Sequence, residues 1–314
     1  MHARMRGRVG VAIVLIAILK LHGAPAVAQG ASHEYRQLHL GMEVRLVLHA
    51  DQATADAAAR AAYARIAELE QLLSDWRPGS EVRQLTERPG EWVPVSAELF
   101  EVTARALAMS RASGGAFDPT VGPIVALWRE ARRTGLAPAD SALRRAREAT
   151  GWRRVALDST RRRVRVGRAG MRLDLGGIAK GWILGEARTT LRVHGVNAVL
   201  LEAGGDLLLG DAPPGRPGWE VSVPTPHGDS TLVLHDVAIS TSGPSAQHVL
   251  IGGVAYSHVI DPRSGRPLTS DFETTVLHPD PATADALSTT ITVLGPGPGT
   301  ALARRLGATV VRRR

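Results

Sequence analysis

Polar and apolar positions alternate from Tyr35 to Leu48, the pattern of a half-buried strand, and the Ala-rich run Asp51 to Leu73 then places Ile66, Leu69, Leu72 and Leu73 on one helical stripe. Ser74 to Ser80, with Pro78 and Gly79, breaks that helix. Ser96 caps a second helix over Ala97 to Ala112, closed by Gly114-Gly115, and a third is predicted over Ala139 to Ala149. Short strands follow at Arg153–Leu157 and Val164–Val166, joined by a hairpin turn at Asp158-Ser159-Thr160. A helix over Ile178 to Val193 leads to a buried-type strand at Val196–Glu202, and Gly and Pro mark residues 210–218 as a loop. Strands are then expected at Trp219–Val223, Thr231–Leu234, Val237–Ser240, His248–Ile251 and Glu273–Leu277. Helices over Thr283–Val293 and Thr300–Leu306 and a last strand at Thr309–Val311 complete the chain. There is no repeat period and no regular βαβ alternation, which argues α+β over a doubly wound sheet.

The first 28 residues break this pattern. Arg4, Arg6 and Arg8 precede the apolar run Val9–Leu19, and Ala26-Val27-Ala28 supplies small residues for cleavage, so 1–28 reads as an export signal and 29–314 as one mature domain. The apolar run of 11 residues falls well short of the roughly 20 that span a bilayer, and an uncleaved tether to the inner membrane is the alternative. The expected location is therefore periplasmic. The chain has no Cys, which excludes disulfides, thiolate metal sites, thiol nucleophiles and a lipid anchor on an N-terminal Cys.

Charge sharpens once it is placed. The chain of 314 residues carries a formal +8, but residues 1–28 hold four of the basic residues and no acid, leaving +4 for the mature part. Arg129 to Arg172 contains 14 Arg against Glu130, Asp140, Glu148 and Asp158, so the basicity is one segment, and the rest of the mature chain is net acidic. That segment lacks the interleaved aromatics and the motifs of nucleic-acid binders and reads as a solvated basic face, with docking to an acidic partner or membrane surface as an accessory role. Of 38 Lys and Arg only two are Lys, and Lys20 lies in the signal, so Lys180 is the one ammonium of the mature protein. A compact point cation in a chain that otherwise uses Arg marks that position.

The candidate chemistry sits in short polar islands at Gly-rich turns. Asp174-Leu-Gly-Gly-Ile-Ala-Lys180-Gly puts two glycines at a helix entrance, where backbone N–H groups approach an anion, with Lys180 about one turn inside; the plain alternative is a capped helix. Asp285 and Thr289, four residues apart, share a helix face and offer oxygen ligands suited to Mg²⁺, while Asp285 could equally be a helix-terminal charge. His258, before Asp261-Pro262 and Gly265, could act as acid or base or be a packed strand His. Dinucleotide, P-loop, zinc-protease and hydrolase-elbow motifs are absent.

In order, Ser74-x-Trp76-x-Pro78-x-Ser80-Glu81, Gly114-Gly-Ala-Phe-Asp-Pro-Thr-Val-Gly-Pro123, Asp174 to Gly181, Gly204-Gly205-Asp206, Thr241-Ser242-Gly243, His258-x-x-Asp261-Pro262-x-x-Gly265 and Ala284-Asp285-Ala-x-x-Thr289 resemble the ApbE family of FAD:protein FMN transferases. The resemblance spans about Leu38 to Leu306. It implies a single α+β domain with a mixed, largely antiparallel sheet and flanking helices. It also implies that Mg²⁺ and FAD bind and that FMN passes to a Thr or Ser hydroxyl of an exported redox protein bearing a D-x-x-[ST]-G-A-[ST] segment, releasing AMP. By position, Gly177 (carbonyl), Asp285 and Thr289 match metal ligands. Leu40, Trp76, Ala116, Phe117, Asp118, Asp174, Lys180 and Ile260 match flavin-nucleotide contacts, and His258 matches the catalytic His, with Lys180 as a second catalytic candidate. Gly41-Met42 stands where the family commonly has Gly-Thr, and the acceptor segment is absent, so the partner is expected to be another protein. The alternatives are a Mg²⁺-dependent FAD pyrophosphatase giving FMN and AMP and an exported flavin-binding protein without catalysis.

Overall fold

A computed structural model describes residues 31–225, 228–243 and 248–313; the export-signal segment 1–28 lies outside the described residues. Seven strands form the main sheet, and they lie side by side in chain order, every neighbouring pair antiparallel. We number them β1 (Ser32–His39), β2 (Met42–His49), β3 (Val199–Ala203), β4 (Asp206–Leu209), β5 (Val237–Ser242), β6 (Glu273–His278) and β7 (Thr309–Arg313). The helices are α1 (Gln52–Leu73), α2 (Glu81–Thr86), α3 (Ala97–Ala112), α4 (Gly122–Thr134), α5 (Asp140–Glu148), α6 (Ala179–Val193), α7 (Pro281–Leu294) and α8 (Pro296–Arg305). The α+β expectation holds: helices are inserted between strands of an antiparallel sheet.

Side-chain alternation gives the sheet two apolar faces. Val44, Leu46 and Leu48 of β2 and Val199, Leu201 and Ala203 of β3 join Ala55, Ala58, Ile66 and Leu69 of α1 in the principal core, with Ile183 of α6 and Leu287 of α7. Val47, Leu200, Leu207, Leu209 and Ile239 point the other way onto Trp219, Val221 and Val223 of a hairpin over 219–234. A satellite cluster packs Ile124 and Trp128 of α4 and Leu143 of α5 against Ile251 and Ile260, and the Trp128 indole donates to Gly265 O at 2.9 Å. Among the described residues no helix is long and apolar enough to cross a membrane.

Three departures from the sequence reading have physical causes. The run Tyr35–Leu48 is two strands, because Leu40 (φ 56°) and Gly41 (φ 73°) both turn into the left-handed region and reverse the chain. β4 was not expected: Asp206-Leu-Leu-Leu is buried throughout and shows no alternation to read. α4 begins at Gly122-Pro123, just ahead of the Arg-rich segment into which it runs, where Pro suits a helix's first turn but reads as a breaker in sequence.

Candidate active site

A cleft of about 1230 Å³ opens beside the β1–β2 turn, bordered by Leu40, Trp76, Asp174, Lys180, Gly204, Thr241 and His258. Of the residues expected to bind or act, it therefore gathers Leu40, Trp76, Asp174, Lys180 and His258 from five separate segments.

At its floor, α6 starts at Ala179, so Lys180 is the second residue of the helix and not a turn inside it. Lys180 Nζ lies 2.8 Å from Asp206 Oδ2 at the start of β4. That oxygen is buried and has the ammonium as its ion-pair partner without a hydrogen bond of regular geometry. Asp206 Oδ1 accepts from Ser240 Oγ at 3.0 Å and from Thr241 N at 3.3 Å, which fixes the carboxylate from β5. Ser240 Oγ in turn lies 3.0 Å from Ser288 Oγ of α7. Burial opposes the charge on Lys180, but the carboxylates of Asp206 and Asp285 outweigh it and hold its pKa above the ordinary value.

Asp285 faces the same point from α7, whose first turn is fixed by Asp280 accepting from Thr283 N at 2.9 Å. Its Oδ2 accepts from Gly181 N at 2.9 Å. Burial first, then the charge of Asp206, pushes the Asp285 carboxyl up to about 7, against the opposing pull of Lys180 and the Gly181 N–H. α6 can come this near α7 only because residue 181 is glycine: a Cβ there would lie 2.1 Å from Pro281 O and 2.9 Å from Asp285 Cβ. A Cβ on Gly177 would meet Phe117 Cε2 at 3.2 Å and Thr289 Oγ1 at 3.6 Å, so Gly177, Phe117 and Thr289 form one cluster beside Asp285.

The residues present fit a divalent cation. Two buried carboxylates, Asp206 and Asp285, share a single ammonium at the floor of the cleft, so a second cation would balance the pair once Asp285 is ionised. The surrounding donors, the Thr289 hydroxyl and the Gly177 carbonyl with Asp285, are hard oxygens of the kind Mg²⁺ takes.

The outer end of the cleft is built around Arg129. Its guanidinium lies 3.7 Å from the centroid of the Trp76 ring, 2.6 Å from Asp75 Oδ2 and 3.3 Å from Asp174 Oδ2. Asp174 Oδ1 accepts from Gly176 N at 2.9 Å, and burial followed by the neighbouring Asp75 raises its pKa, against Arg129. Trp76 remains 64% exposed, so its other face is open. Arg129 belongs to the stretch read as a solvated basic face, and the structure corrects that reading at this position. The signal in sequence, an Arg on a helix after Gly-Pro, is too common to have found it.

Ala116, Phe117, Asp118 and Ile260 do not line the cleft. Ala116 packs on Val259 and Val293, and Ile260 packs with Ile124 and Trp128. Asp118 Oδ1 accepts from Thr120 N at 2.8 Å and Oδ2 from Trp152 N at 3.1 Å, while burial raises its pKa against these bonds. These side chains shape the segment that sets Phe117 against Gly177. Asp206, Ser240 and Ser288 were given no role in the sequence reading, because the first stands apart from Lys180 in the chain and only the β3–β4 reversal joins them.

Residues 40–311 match the model of the ApbE family. A protein of Klebsiella pneumoniae named FAD:protein FMN transferase is 31% identical over 87% of this chain and 86% of its own, and one of the same name from Treponema pallidum is 29% identical over 92% and 85%. The apo flavinyl transferase ApbE of Pseudomonas stutzeri superposes with a TM-score of 0.81 at 26% identity, covering 92% of this chain and 94% of that one. The ApbE protein of Thermotoga maritima gives 0.81 at 30%, covering 90% and 94%. With the family's model spanning the cleft from Leu40 to beyond Thr289, this chain belongs to the ApbE family.

Proposed function

We propose that the chain transfers the FMN moiety of FAD to a Thr or Ser hydroxyl of another exported protein, with Mg²⁺ and with release of AMP. The observation that carries this reading is the convergence of Lys180, paired with Asp206, on the buried Asp285 in a cleft that His258 and Trp76 also line. The names of the relatives support the class of activity. The signal-like segment 1–28 supports an acceptor outside the cytoplasm.

In this reading the acceptor hydroxyl oxygen attacks the phosphorus of the FMN half, and the bond from that phosphorus to the AMP oxygen breaks. His258 takes the hydroxyl proton at the cleft wall. Lys180 is held rigid and charged by Asp206, so it donates to a pyrophosphate oxygen without reorganising. Trp76 offers its open face to an aromatic ring of the nucleotide, and Asp174 accepts from a ring N–H or ribose hydroxyl beside it. Asp285, Thr289 and the Gly177 carbonyl would hold Mg²⁺. When bound, the ion neutralises developing charge on the transferred phosphoryl group.

The test is to incubate the protein with FAD, Mg²⁺ and an acceptor domain carrying a D-x-x-[ST]-G-A-[ST] segment and to weigh the acceptor. A gain of one FMN unit with stoichiometric AMP is expected. Free FMN and AMP with an unmodified acceptor would replace transfer by hydrolysis.

A further inference from the structure

A second cavity, of about 690 Å³, lies on the far side of the segment Gly114–Asp118. Arg144 and Arg147 of α5, Arg153, Arg154 and Arg263 line it, against the acids Asp118 and Glu148. Several of these charges are already engaged. Arg263 Nε pairs with Asp261 at 2.9 Å, Asp118 is held by Thr120 and Trp152, and Glu148 lies 3.5 Å from Arg168. Arg154 donates to the Glu148 carbonyl at 2.6 Å and Arg147 to the Arg263 carbonyl at 3.0 Å, bonds that fix their positions and leave their charge uncompensated. Among the described residues, Arg144 and Arg153 have no carboxylate at ion-pair distance. The cavity is thus a fixed, net cationic recess.

It shares two chain segments with the surroundings of the active-site cleft. Asp118 lines the recess, and its neighbour Phe117 lies against Gly177. Pro262 and Arg263 line the recess, and His258, at the head of the same turn, lines the cleft. The recess and the cleft are thus linked through Asp118–Phe117 and through the turn His258–Arg263.

We propose that this recess docks an acidic segment of the protein acceptor, adjoining the hydroxyl that is modified; the inference rests on the transferase reading above. The exposed guanidiniums of Arg144 and Arg147, one helical turn apart, match carboxylates on an extended chain better than one small anion, since the buried polar side chain lining the recess, Asp118, is itself an acid already held by Thr120 and Trp152. Nucleic acid is disfavoured because the Trp152 ring, the surface on which a base would stack, carries the Arg153 guanidinium 4.4 Å from its centroid. Charge complementarity of this kind speeds encounter and selects partners, and it weakens with salt.

The experiment compares two versions of one acceptor domain, one with Asp and Glu flanking the D-x-x-[ST]-G-A-[ST] segment and one with Asn and Gln there. Each is titrated against the wild type, Arg144→Glu/Arg147→Glu, and the milder Arg144→Gln. The wild type should show a KM about tenfold lower for the acidic version, a preference that added salt erases. The double variant should lose the preference and Arg144→Gln part of it, with FAD binding by flavin fluorescence and kcat at saturating acceptor unchanged. A preference that survives in the double variant overturns the proposal, as does loss of binding to anionic vesicles with both KM values unmoved. If the wild type modifies neither acceptor, the transferase reading itself has failed and the docking inference falls with it.

Discussion

Lys180 and Asp206 form the buried ion pair on which the cleft is organised, Nζ to Oδ2 at 2.8 Å, with the carboxylate's other oxygen tied to Ser240 and Thr241. The ammonium is aimed from β4 and β5. Asp206→Asn keeps the bonds to β5 but removes the charge that holds Lys180, and kcat should fall about tenfold to a hundredfold with little change in the KM for FAD. Unchanged kcat would mean the pair serves folding alone.

Lys180→Arg should be nearly as damaging. A planar, forked guanidinium cannot reproduce the single-point pairing that the compact Lys180 ammonium makes with Asp206 Oδ2. Retention of more than about half the wild-type turnover would show that any cation suffices there.

In the proposed metal site, Asp285 would link metal binding to pH. Burial and the charge of Asp206 push its carboxyl up to about 7, above the ordinary carboxylate range, so folding favours the protonated form. The stability this contributes is full below about pH 4 and is lost as pH rises through 7 in metal-free protein. Mg²⁺ needs the carboxylate and should restore that stability, so the rise in Tm on adding Mg²⁺ should be greater at pH 8 than at pH 6. Chelator should abolish the difference. Equal shifts at both pH values, or a shift that persists in Asp285→Ala, would remove Asp285 from the metal site.

Gly181→Ala tests the closeness of α6 and α7. The added methyl would sit 2.1 Å from the Pro281 carbonyl oxygen, so the helices must separate, at a cost of about 1–3 kcal/mol or more. Thermal melting should show a Tm lower by about 5 °C or more, and the Mg²⁺ response should weaken together with it.

Arg129 and Trp76 can be separated by substitution. Trp76→Ala should raise the KM for FAD about tenfold with kcat less affected, while Trp76→Tyr keeps a stacking face and should remain near wild type. Arg129→Ala leaves Asp75 and Asp174 facing one another without their cation, so FAD affinity should fall and should recover at lower pH as a carboxyl is protonated. Quenching of Trp fluorescence by FAD would report both effects.

Much of this was legible from sequence where the cause is local. The α3 boundary follows from the cap Ser96 and the α1 stripe from apolar spacing, and the ordered islands supplied Trp76, Asp174, Lys180 and His258, which the cleft brings together. What stayed hidden depends on contacts remote in the chain. Leu40 adopts a left-handed turn that its residue type does not announce, Asp206 finds Lys180 only across the β3–β4 reversal, and Arg129 reads as one more surface charge until α4 is placed beside Asp75 and Asp174. Ala116 and Ile260, taken as nucleotide contacts by position, have side chains packed in apolar clusters, a distinction that spacing alone does not carry.

The chain-order sheet has a temporal consequence. β2 and β3 are hydrogen-bonded neighbours, yet residues 50–198 intervene, so closing that loop must precede any reward from their pairing. The metal candidates Asp285 and Thr289 come later still, on α7, and β7 seals β6 only at the very end of the chain. A polypeptide emerging N-terminus first therefore holds Leu40 and Trp76 long before it holds Asp285 and Thr289, and the cleft is completed abruptly, once α7 has been made.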